Sequence, residues 1–188
     1  MSGDMELINF NSEEFQGFPE GEEVLVDTGI ILAYLNEYDT WHNTVKKLFE
    51  DHILNNDKTI FLFINPCIVN EVTFLKNKPI EFYQKNNNVK LSKDEIQRVN
   101  KSVLENLHIM VDNEILEILD GDKNTVKQQI ELSDFLGSAD AVNASIANAY
   151  GINFLTLDTR LANNMKLKEK ELSDIEIIYH TTPEYKEY

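Results

Sequence analysis

Four carboxylates in this chain stand where they could act together: Asp27, Glu71, Asp140 and Asp158. Two of them end apolar runs, Val24-Leu25-Val26-Asp27 and Phe154-Leu155-Thr156-Leu157-Asp158. A short apolar run reads as a strand buried on both faces, as in a parallel sheet. An acid directly after such a strand sits at the carboxyl edge of the sheet, where open parallel sheets bind their ligands. Glu71 falls in the second turn of a helix expected to start at Asn65-Pro66, since Asn is a good N-cap and Pro suits the first helical position. Asp140 falls in the first turn of a small-residue helix over 139–150, where the helix dipole favours a carboxylate by about 0.3–1 kcal/mol. The 18 residues from Asp140 to Asp158 are what one helix, one turn and one strand require.

Two carboxylates ~4 Å apart repel by roughly 1–4 kcal/mol at dielectrics between those of water and a protein surface. Four converging acids therefore stay partly protonated unless a cation joins them. Oxygen-only donors select hard ions, Mg²⁺ or Mn²⁺, and a site of that kind holds a phosphate while a water is activated for in-line attack. With 33 acidic residues in the chain, a solvated surface charge is the ordinary reading of any single one. Strand-end placement sets Asp27 and Asp158 apart. For Glu71 and Asp140, position alone leaves the surface and the site readings level.

The elements that must position these acids alternate along the chain. After Asp27, Ile30, Ile31, Tyr34 and Leu35 share a helical face, which Val45, Leu48 and Phe49 resume. A strand is expected at Ile60–Ile64, a helix from Ser92 (a capping box with Glu95) to about Leu104, a third strand at Leu107–Val111 and a helix over Asp112–Leu119. Further helices are expected over about 125–132 and 139–150, the latter ended by Gly151, and a last strand at 175–179. Alternation of this kind gives an α/β fold: one domain over 23–182, with a central, mostly parallel sheet flanked by helices as an α/β/α sandwich. Residues 1–22, acidic and broken by Gly3, Gly17 and Pro19, read as a loosely ordered arm, and 183–188 as a tail.

Composition narrows the function classes. The 188 residues carry 17 basic side chains, for a formal charge of −16, which counts against a general nucleic-acid coat protein. A nuclease stays open, because metal ions supply positive charge locally. The single cysteine, Cys67, excludes an internal disulfide framework and a Cys-based zinc site. The acidic start lacks a secretory pattern and no apolar run is long enough to span a membrane, so a soluble cytoplasmic protein is expected. The histidines (His42, His52, His108, His180) lack metal-ligand spacing, and neither G-x-G-x-x-G nor a Walker pattern occurs.

Around the four acids the sequence resembles the PIN-domain nucleases. Val24-Leu25-Val26-Asp27-Thr28-Gly29-Ile30-Ile31-Leu32-Ala33-Tyr34-Leu35 is similar to that family's opening strand, first acid and first helix. Ile64-Asn65-Pro66-Cys67-Ile68-Val69-Asn70-Glu71-Val72 is similar to its second block, Ser138-Ala139-Asp140-Ala141 with Ala144, Ala147 and Ala149 to its third, and Gly151 through Asp158 to its fourth. Gly29 departs from the pattern, standing where Ser or Asn is common. The resemblance implies a Mg²⁺- or Mn²⁺-dependent endoribonuclease with Asp27, Glu71, Asp140 and Asp158 as its metal-binding acids and Thr28 or Thr156 as a hydroxyl at the rim. It is closest to toxins of the VapC type, which implies RNA as substrate, an antitoxin protein covering the cleft with a cationic side chain, and a possible homodimer. Set against this are a catalytically silent module of the same fold that binds RNA or protein, and a Mg²⁺-dependent phosphatase acting on small phosphoesters.

Other residues have bland readings beside functional ones. Arg160 steadies a phosphate or is a surface arginine. Asp134 reads as a cap or loop residue rather than a ligand, and Trp41 and Tyr38 as packing rather than a partner surface. Seven of the 17 basic residues fall between Lys76 and Lys101, as an RNA-facing strip or simply a solvated face.

Overall fold

The computed structural model describes residues 4–55 and 57–186. Six strands form one sheet in the order β1-β6-β5-β2-β3-β4, and every pairing is parallel. They are β1 (Glu6–Asn9), β2 (Glu22–Val26), β3 (Ile60–Ile64), β4 (Glu117–Ile118), β5 (Asn153–Leu155) and β6 (Ile177–His180). The helices that flank it are α1 (Thr28–Leu35), α2 (His42–Phe49), α3 (Pro66–Leu75), α4 (Lys78–Asn87), α5 (Lys93–Asp112), α6 (Lys123–Leu136), α7 (Ser138–Tyr150) and α8 (Thr159–Leu167). The result is an α/β/α sandwich. No described helix is long and apolar enough to cross a membrane.

The sheet is built around β2. Val24, Leu25 and Val26 are wholly buried, as are Phe154 and Leu155 of the neighbouring β5. Burial on both faces explains why these strands read as continuous apolar runs rather than alternating ones. α3 begins where the sequence signals it: the Asn65 side chain accepts from Ile68 N at 3.0 Å, with Pro66 at the first position. Ser92 likewise caps α5, while Glu95 turns away to accept from the Tyr38 hydroxyl at 2.6 Å. α7 ends at Gly151, whose φ of +64° is the left-handed conformation that glycine adopts without strain.

Four expectations need correction. Residues 4–21 are not a loose arm: β1 pairs in register with β6, Glu6 opposite Ile177 through Asn9 opposite His180, so the chain before residue 22 belongs to the sheet. Met5, Phe10 and Phe18 are buried, and the Phe18 ring meets Tyr179 edge-on at 4.7 Å. Residues 1–3 and 187–188 lie outside the described residues. Leu107–Val111 is not a strand but the end of α5, because Val99, Val103, Leu107 and Met110 recur at helical spacing and share its buried face. Asp112–Leu119 is not a helix: after a left-handed Glu114 (φ +56°) the chain straightens into β4 at the sheet edge. The helix placed over 125–132 runs from 123 to 136, opened by a capping box between Asp122 and Thr125, so Asp134 is an exposed helical residue rather than a cap.

If the N-terminal segment is core, Phe18→Ala costs about 3–5 kcal/mol in denaturant unfolding, the usual range for emptying a buried aromatic site. A loss below about 0.5 kcal/mol would mean that the segment contributes no packing.

Candidate active site

β2 and β5 stop side by side, and the ladder continues one step past them. Asp27 N donates to Leu155 O and Thr156 N to Tyr179 O, each at 2.9 Å. That register brings Asp27 beside Thr156, whose hydroxyl donates to Asp27 Oδ2 at 2.7 Å. The other oxygen, Oδ1, accepts from Thr28 N at 2.8 Å and so caps α1. Asp158 caps α8 by accepting from Leu161 N at 2.9 Å, and its own N–H donates to Thr156 Oγ1 at 3.0 Å. One threonine hydroxyl therefore ties together the ends of both acid-bearing strands. Thr28 does the same for α3, its hydroxyl donating to Glu71 Oε2 at 2.7 Å.

Asp27, Glu71, Asp140 and Asp158 all line one cleft of about 810 Å³ at the carboxyl edge of the sheet, which the apolar side chains of Trp41, Leu75 and Leu157 also line. Glu71 and Asp158 act on Asp27 through charge, and all three act on Asp140. Burial, resisted by the Thr156 and Thr28 hydrogen bonds and reinforced by the charges of Glu71 and Asp158, raises the Asp27 carboxyl to about 6. Asp140 is raised further, to about 7, first by burial, then by Asp27, Asp158 and Glu71, with Arg160 pulling the other way. Burial and then the charges of Glu71 and Asp140 push the Cys67 thiol up, so it is no nucleophile at neutral pH.

The donor set is all oxygen and suits a hard divalent cation. The acids surround the cleft rather than closing on one point: among the described residues, no three His, Cys, Asp or Glu side chains stand together as a ready cage. Asp27 uses both oxygens, and Glu71 and Asp158 one each, to accept from the protein.

Of the other residues marked in the sequence, Arg160 and Trp41 line the cleft. The Trp41 ring carries the Lys186 ammonium 4.9 Å from its centre. Gly29 also lines it, with the Leu157 side chain 4.0 Å from where a Cβ would stand, so a larger residue fits there. None of the four histidines does. Within the basic stretch Lys78 pairs with Glu81, Arg98 with Glu37 and Lys101 with Glu105, at 3.7, 3.5 and 3.3 Å, all on exposed side chains. One neighbour of Asp27 went unmarked. Asn143, on α7, approaches Asp27 Oδ1 at 3.5 Å and accepts from Asn65 at 2.9 Å. A polar residue at the centre of an alanine-rich helix was the available signal.

The sequence over residues 24–167, which holds all four acids, matches the family model for the PIN domain. The chain belongs to the PIN-domain family. Such domains are generally nucleases. Among solved structures, this PIN domain is similar to FitAB bound to an IR36 DNA fragment, with a TM-score of 0.50, 14% identity, and 84% of this chain and 94% of that one covered. It is also similar to VapBC2 from Rickettsia felis bound to a DNA fragment from its promoter, with a TM-score of 0.46, 18% identity, and 84% and 98% coverage. At 14% identity the likeness to FitAB is one of fold. No curated protein matches the sequence.

Raised carboxyl values make stability depend on pH in a definite direction. Asp27 and Asp140 hold protons more tightly in the fold than in the unfolded chain, whose ordinary value is 3.8. Their favourable contribution is complete below that value and is lost as pH rises through about 6 and 7. In EDTA, the melting temperature should fall between pH 5 and pH 8. Asp140→Asn should flatten the fall and stabilise the protein at pH 8 by about 1–2 kcal/mol, roughly 2–8 °C, after allowance for solvent screening. A variant less stable than the parent at pH 8 would show that the repulsion is unimportant.

Proposed function

We propose that this PIN domain is a Mg²⁺- or Mn²⁺-dependent endoribonuclease that hydrolyses RNA phosphodiester bonds, with Asp27, Glu71, Asp140 and Asp158 as its metal-holding and catalytic acids. The observation that carries the reading is the set of four mutually repelling carboxylates around one cleft, two of them raised toward neutrality. A fold gains nothing from holding such charges together unless a cation or a proton-transfer reaction uses them. A bound divalent ion supplies the positive charge that draws in phosphodiester oxygens and eases deprotonation of the attacking water.

The chain's own residues supply the rest. Thr156 and Thr28 fix the rotamers of Asp27 and Glu71, so their remaining lone pairs face a constant direction. Arg160, at the start of α8, puts a fixed positive charge beside Asp140 and Asp158 and steadies the phosphate. One of the four carboxylates takes the proton of the attacking water. The toxin reading draws on the sequence blocks that resemble VapC-type toxins. It adds an antitoxin protein that offers a cation to the cleft, a homodimer and a cytoplasmic location.

The test is cleavage of RNA by the purified chain in Mg²⁺, Mn²⁺ or EDTA. Cutting should require the metal. Asp27→Asn and Asp158→Asn should each lower the rate by about 10²–10⁴-fold while remaining folded. Undiminished cutting in EDTA, or by both variants, would overturn the proposal.

A further inference from the structure

The two asparagines beside Asp27 form a chain with a fixed direction. Asn65 and Asn143 are both fully buried, at 0% exposure, so neither touches a substrate in the cleft. The Asn65 carbonyl oxygen is committed, because it accepts from Ile68 N and starts α3. Its amide nitrogen must then face away, and it donates to Asn143 Oδ1 at 2.9 Å. With that oxygen occupied, Asn143 can turn only its NH₂ toward Asp27 Oδ1, at 3.5 Å. An Asn amide reads as donor or acceptor according to which way it is flipped, and here the helix-capping residue bonded to Asn143 settles the choice.

We infer that Asn65 and Asn143 act as positioning residues for Asp27, the Asn65 cap locking the Asn143 amide so that a donor, never a carbonyl, faces the carboxylate. The inference rests on the metal-site reading above. At 3.5 Å the Asn143 contact is a weak hydrogen bond, so its value lies in its sign. A flipped amide would set a carbonyl dipole against an anion that Glu71 and Asp158 already crowd. The same chain joins the three elements that carry Asp27, Glu71 and Asp140, namely the end of β2, α3 and α7. Partners of this kind orient carboxylates for a metal, and their loss typically costs about 10–100-fold in metal affinity.

Asn65→Asp separates orientation from folding. Aspartate caps α3 as well as asparagine does and has the same shape, but once ionised, at pH 8.5, it has no donor, so it frees Asn143 to flip. By charge alone the new carboxylate would draw a cation more strongly. A weaker affinity therefore reports the amide direction and not the field. Asn143→Leu removes the donor outright.

Calorimetric titration of the full chain and both variants with Mn²⁺, alongside thermal melts, decides the matter. At pH 8.5 and at a temperature where both proteins are folded, Mn²⁺ affinity should fall about 10–100-fold in Asn65→Asp, whose melting temperature also falls because a carboxylate is now buried. The KM for RNA at saturating Mn²⁺ should be unchanged, because neither asparagine reaches the cleft. An affinity within twofold of the parent, or a tighter one, would overturn the inference while leaving the metal site in place. If Asn143→Leu fails to fold, the shape-preserving Asn65→Asp still gives the answer. Absence of Mn²⁺ binding by the unaltered chain would remove the metal site and this inference together.

Discussion

The Asp27 carboxylate is buried at the carboxyl edge of the two central strands, and its hydrogen bond from Thr156 fixes the geometry around it. That bond exists only because β2 and β5 are neighbours in a register that sets Val26 beside Leu155, with Asp27 N bonded to Leu155 O one step on. A one-residue slip would turn the side chains after β5 to the opposite face and leave Asp27 with a lone buried charge. The Thr156 hydroxyl also accepts from Asp158 N, so the same contact sets the turn that opens α8. Sheet register, helix capping and site geometry are thus one arrangement.

Three helices begin around this edge, and their placement offsets part of the repulsion. Asp27 caps α1, Asp158 caps α8 and Asp140 lies in the first turn of α7. Each N-terminus presents partial positive charge to its acid, about 0.3–1 kcal/mol apiece. Such terms do not neutralise four carboxylates, and Asp140 in particular remains raised, although Arg160 opposes the shift. The site is left electrostatically incomplete in the direction that favours a cation. Stability and function oppose one another at this edge, as they commonly do where like charges are gathered for chemistry.

Much of this was legible in the chain because the signals were local. An apolar triplet ended by Asp27, the Asn65-Pro66 start of α3 and the Gly151 stop of α7 each depend on a few adjacent residues, and the fold keeps them. What could not be read depends on distant contacts. β1 is four residues in an acidic stretch, and it is a strand only because β6, some 170 positions later, offers it an edge. Leu107–Val111 has the composition of a strand, and only the preceding Val99 and Val103 show that its period is helical. For the site, the sequence marks the acids but not their supports. A buried asparagine such as Asn143 looks like any polar residue until its partners, 78 and 116 positions away, are known.

Proton release on Mn²⁺ binding addresses the central claim most directly, because a cation that satisfies the four carboxylates must displace the protons that burial and repulsion hold there. Calorimetry in buffers of different ionisation enthalpy counts them. With Asp27 near 6 and Asp140 near 7, binding at pH 6 should release more than about one proton, and binding at pH 8.5 almost none. Binding with no proton release at pH 6, or no binding at either pH, would contradict the view that these four acids form a single cation-binding site.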